Sequence, residues 1–140
     1  MAFEHILLTL PGREANADLS NYQHRWVKGS DATAGKVAAI GSADDTAIGI
    51  LQNAPAADGR AASVAVLGIS KVAAATSVGW LDGCAVGWTT VGVTGGAVPR
   101  ATSVAGSMKS GARYIKNEAS VAQGQLISVV LLGGALSATN

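Results

Sequence analysis

Short apolar runs cut by glycine dominate this chain, and none keeps the 3.6-residue stripe of an amphipathic helix. The runs are Tyr22–Val27, Lys36–Ile40, Ala47–Gln52, Ala61–Val72, Ala85–Val93, Ala112–Lys116 and Leu126–Leu132. Each has strand length, and turn-forming residues separate them. Lys28-Gly29-Ser30-Asp31 closes the first run and Gly41-Ser42 the second. Asn53 to Gly59 reads as a loop, because Asn, Pro and Asp-Gly each favour turns. In Ala61–Val72, Val64 and Val66 share one face, while Ala65, Leu67 and Ile69 share the other. Two apolar faces predict a strand that is covered on both sides or bends at Gly68. Leu126–Leu132 is apolar except for Ser128, which predicts a central strand. Ala97–Gly111 is rich in Ala and Ser but holds a proline and two glycines, a weak case for a helix. The pattern predicts an all-β domain, a barrel or a sandwich, over residues 22–140.

Residues 1–21 differ from the rest. Phe3 to Leu10 contains an apolar run, Ile6 to Leu8 plus Leu10; Pro11-Gly12 marks a turn, and a polar stretch follows to Asn21. Two readings stand open: a strand plus loop, or an arm ordered by a neighbouring subunit. Ile6 to Leu8 is too short a run for a signal peptide, and Glu4 stands where a positive charge is expected. The expectation is a protein made in the cytoplasm. No apolar run nears the roughly 20 residues of a membrane-spanning helix.

Composition narrows the function classes. The 140 residues are enough for one domain with its own core, and the lone Cys84 cannot form an internal disulfide. Charged residues are only 14%, against roughly 25% in an average soluble domain. So little charge points to a surface partly covered by neighbours. The ten basic residues are scattered and the net charge is +1, unlike the dense basic stripe of a nucleic-acid binder.

No residue set assembles a reaction. His5 and His24 lack Cys or carboxylate partners at metal-ligand spacing, so neither a metal nor a cofactor is expected. The adjacent pair Asp44-Asp45 falls in a turn, where both side chains are expected to face solvent. Asp58-Gly59 and Asp82-Gly83 read as tight turns. Met108 precedes Lys109-Ser110, where a phosphate loop requires glycine. Gly92 to Gly96 reads as a hairpin connection, and Cys84 as a small buried apolar residue. An enzyme is therefore not expected. Trp26, Trp80 and Trp88 carry much of the aromatic area in a chain with 4% aromatics. They are either core anchors or interface anchors. With Phe3, Ile6 and Leu8 of the N-terminal segment they make up the candidate interface set.

One region carries a resemblance. Gly49-Ile50-Leu51-Gln52-Asn53-Ala54-Pro55 leads through a turn to Ala62-Ser63-Val64-Ala65-Val66-Leu67-Gly68-Ile69-Ser70-Lys71-Val72. Gly83 to Val86 follows, and Gly124 to Gly133 closes on a strongly apolar strand. This order resembles the bacteriophage capsid cement, or head decoration, family over residues 35–133. The pattern does not account for residues 1–21, and Trp80 to Gly111 is longer than it requires. The resemblance implies a compact β-barrel or β-sandwich on the outside of a virion, bound to the major capsid protein. It also implies assembly with copies of itself, commonly as a homotrimer, bracing the expanded shell with no cofactor and no catalytic residue. Another virion β-module, in a tail, head fibre or host- or carbohydrate-attachment protein, is the alternative; exposed Trp80 and Trp88 would favour it.

Overall fold

A computed structural model of the chain describes residues 1–42, 44–100, 108–109, 112–132 and 137–138. Residues 101–107 and 110–111 of the Ala97–Gly111 stretch, and Gly133, lie outside the described residues. The fold is all-β, with no helix among the described residues. Its strands are β1 (His5–Thr9), β2 (Glu14–Ala15), β3 (Trp26–Gly29), β4 (Lys36–Ala39), β5 (Ala47–Leu51) and β6 (Val64–Ala73). They continue as β7 (Ala85–Thr89), β8 (Gly96–Arg100), β9 (Met108–Lys109), β10 (Ala112–Ile115), β11 (Leu126–Leu132) and β12 (Ser137–Ala138).

Ten strands form one mixed sheet in the order β2-β4-β3-β5-β6-β11-β10-β7-β8, with β1 added on β6, while β9 and β12 pair separately. The ladder is not closed into a barrel. A parallel bridge between Ala74 and Ala97, with the Ala75 N–H donating to Ala97 O at 2.8 Å, folds β8 back against the end of β6. The fold is thereby sandwich-like.

β6 organises the sheet. Leu67, Gly68 and Ile69 each pair with β11 and also with β1, so those two strands lie on opposite edges of β6. Gly68 has φ +107° at the site where the β1 register slips. A Cβ there would run into His5 O and, at 2.6 Å, into Leu7 N. The bend is therefore real and needs glycine, because no L side chain fits so close an approach.

The apolar residues divide into two clusters. The larger gathers Trp26, Ile50, Val72, Trp80, Val86, Trp88, Tyr114, Ile127 and Val129. The smaller is aliphatic: Ala15, Leu19, Val27, Val37, Leu51, Ala62 and Val64. The polar N-terminal loop thus supplies Ala15 and Leu19 to a core.

Three local expectations are corrected. β3 begins at Trp26, not Tyr22. The Tyr22 N–H donates to Leu19 O and the Arg25 N–H to Tyr22 O, winding 19–25 into turns, and His24 sits at φ +60°. The run from Ala85 ends as a strand at Thr89, where the hairpin to β8 begins, with Gly92 and Gly95 at positive φ. Asp45 does not simply face solvent. Its carboxylate accepts from the N–H groups of Gly41 (2.8 Å) and Ser42 (3.0 Å) and lies 3.2 Å from Lys28 Nζ. Burial alone would raise its pKa, but the Gly41 N–H, Lys28 and the Ser42 N–H outweigh that and hold the carboxyl below its usual range.

β2, β8, β9 and β12 are strands the hydrophobic pattern missed. β2 has two residues, and β8 contains Pro99, which removes a ladder donor. As the end strand β8 tolerates it.

Candidate functional site

The β1-β6-β11-β10 part of the sheet has two unlike faces. Pairing puts Ile6, Gly68, Leu131 and Ala112 in one row, and Val72 opposite Ile127 in another. These rows face the larger core. The alternate rows face outward: Leu8 with Leu67 and Leu132, His5 with Ile69, Val130 and Arg113, and Lys71 with Ser128 and Ile115.

The outward rows are largely apolar and open. Leu8 is 52% exposed, Leu132 55% and Leu7, in the β1 bulge, 64%. Phe3 is also exposed. Ser128 is the exception, fully buried although it points outward. Phe3 donates its N–H to Ser128 Oγ at 2.8 Å, and Ser128 donates to Phe3 O at 3.2 Å. Residues 1–4 therefore cross this face as a strap pinned by one hydroxyl. A second tie lies 3.8 Å apart, between Glu4 Oε1 and His24 Nδ1. Burial keeps the His24 pKa below its ordinary value; Glu4 opposes that shift and Lys71 adds to it.

The six candidate interface residues separate on this geometry. Phe3 and Leu8 are exposed on the outward side, and Ile6 is half-buried against the larger core. Trp26, Trp80 and Trp88 are buried within the chain. Trp26 and Trp88 meet at a tilt with centroids 5.4 Å apart, and Trp80 meets Tyr114 edge-on at 5.1 Å. The Trp88 indole N–H donates to Asp45 O at 2.9 Å and that of Trp80 to Thr76 O at 2.8 Å. These tryptophans offer a partner almost no surface, so the interface reading passes to the leucines. Leu7, Leu67 and Leu132 were missed in sequence. The signal was there, in alternation that left two apolar faces on β6 and β11, but register was needed to use it.

A cleft of about 240 Å³ opens elsewhere, lined by Gly79, Trp80, Tyr114, Lys116, Glu118 and Val121 among others. Neither His24 nor Cys84 lines it. The Glu118 side chain is only 7% exposed. Its Oε2 accepts from the Tyr114 hydroxyl (2.9 Å) and the Asn117 N–H (3.3 Å). Its Oε1 accepts no hydrogen bond. Burial, followed by the bond to Glu118, pushes the Tyr114 pKa up to about 12, so the phenol keeps its proton and remains a donor.

Cys84 is half-buried with a raised pKa, chiefly from burial. Such a thiol is a poor nucleophile. Among the described residues, no group of three or more His, Cys, Asp or Glu side chains is placed to hold a metal.

No protein-family model matches this chain, and no curated protein matches it. What it can do must therefore be read from its own surface.

Proposed function

We propose that this protein is a capsid decoration protein, binding the outside of a phage head through the major capsid protein and bracing the expanded shell. One observation carries the reading. Among the described residues, the Leu8–Leu67–Leu132 row, extended by Leu7 and Phe3, leaves an apolar sheet face open on a domain with two apolar clusters already inside it. Exposed apolar area of this kind, on a chain with little charge, fits a surface covered by other subunits. The resemblance of Gly49–Val72 to the cement family agrees, as does an all-β fold in so small a domain. Copies of the chain, three about one axis in the form the resemblance implies, sit side by side on the shell. Many identical contacts then act together although each is modest. No catalytic or cofactor-dependent role is proposed. Among the alternative virion β-modules (tail, head fibre, host or carbohydrate attachment), exposed Trp80 and Trp88 would favour the attachment role, and both are buried.

The test is decoration of bare, expanded capsids by the purified chain, imaged by electron microscopy. Regular added density at fixed lattice positions supports the proposal, and a Leu8→Asp/Leu132→Asp double variant loses it. Bare capsids after mixing, or equal density from the double variant, overturn it. Deleting residues 1–20 is a poorer test, because it removes the buried Ala15 and Leu19 and the β1 partner of β6.

A further inference from the structure

The cleft beside Trp80 holds a carboxylate that the fold leaves half-used. Burying a charge is costly unless its acceptor sites are satisfied. Glu118 Oε2 has two donors and Oε1 has none. The nearest cation is the Met1 amino nitrogen, 3.7 Å from Oε1, too far for a hydrogen bond, and 3.4 Å from Asn117 O. The Met1 side chain is almost wholly exposed, so that nitrogen is easily displaced.

We infer that this cleft is a socket for one alkylammonium side chain, a lysine presented by a partner protein, with its charge on Glu118 and its stem against Trp80 and Tyr114. Two observations select this occupant. The volume of about 240 Å³ lies below the roughly 300–1,000 Å³ of small-molecule sites, and one side chain fits it better than a metabolite does. Trp80 and Tyr114 border the cleft, but both are buried, so an entering stem meets only their edges. Only one carboxylate oxygen lacks a hydrogen bond. A guanidinium recognises a carboxylate best through both oxygens, whereas an ammonium is served by one, so lysine is preferred over arginine. Lys116 on the same lining works against the incoming charge, which gives the site a built-in negative control.

The experiment titrates Nα-acetyl-lysine amide into the isotope-labelled full chain and follows the Trp80 indole N–H by NMR. Nα-acetyl-norleucine amide serves as the uncharged match. The lysine analogue is expected to give a saturable shift, with the norleucine analogue about tenfold weaker. Glu118→Gln, which keeps an acceptor for Tyr114, should weaken the lysine analogue by about tenfold. Lys116→Met should tighten it by about two- to threefold. Equal shifts from both analogues, no effect of Glu118→Gln, or no saturable shift in either the native chain or Lys116→Met overturns the inference. The titration involves no capsid, so its outcome is separate from that of the decoration test.

Discussion

The inner and outer faces of β1, β6 and β11 are built from the same strands, yet they hold the molecule in opposite ways. The inner face is filled by Val72, Ile127, Val129 and Leu131, which pack with Trp88 and Tyr114 in the larger core. The outer face carries Leu8, Leu67, Ile69, Val130 and Leu132, almost as apolar, but among the described residues only a thin strap crosses it. Apolar character alone therefore does not tell core from surface in this chain. What separates the faces is whether another layer of the same chain covers them. In the proposed decoration role, the capsid would supply that layer from outside.

The comparison can be broken from the inner side first. Trp88→Ala removes a fully buried indole and its bond to Asp45 O, and should cost about 4 kcal/mol in urea unfolding. A loss below about 1 kcal/mol would mean that the inner face is not the one that holds the fold. Gly68→Ala forces a Cβ into the β1 backbone at φ +107° and should cost about 3 kcal/mol. Amide exchange should show the loss concentrated in residues 5–9. Uniform loss across the sheet would contradict the role given to the bend.

Smaller effects test the strap. Ser128→Ala removes both bonds to Phe3 and should cost about 1–2 kcal/mol, with faster amide exchange at Phe3. Unchanged exchange there would show that the strap is held elsewhere. Acid should weaken the fold at His24, because the burial penalty on the charged imidazole outweighs its attraction to Glu4. Because the His24 pKa is lowered in the fold, the unfolded chain binds the proton more readily, and stability falls as pH drops below the ordinary value of 6.5. His24→Asn, a residue tolerated at φ +60°, should flatten that part of the pH–stability curve; an unaltered curve would assign the dependence to other groups. Leu8→Asp/Leu132→Asp should move the unfolding midpoint least of all, since both side chains already meet water. A large destabilisation would mean that the outer row belongs to the core after all.

Much of the fold was legible in the sequence. Leu126–Leu132 reads as a central strand and is one, β11 lying between β6 and β10. Asp58-Gly59 and Asp82-Gly83 mark turns, and both glycines have positive φ. Glycine and β-branched runs act within a few residues, so local sequence is enough to place them. The start of β3 was not legible, because the turn that delays it depends on the packing of Leu19. Nor was the end-strand position that lets β8 keep Pro99.

By itself the sequence determined an all-β chain, low in charge, with apolar residues on both faces of its longest strands. Those properties follow from residue type and a period of two. Only tertiary structure decided which apolar residues are core and which are surface. A one-residue change of register exchanges the faces, and the slip of β1 against Gly68 fixes which leucines are left outside. It also decided that the tryptophans are internal anchors, and that Glu118, unremarked among the polar residues of its loop, lies buried beside Trp80 with one oxygen lacking a hydrogen bond.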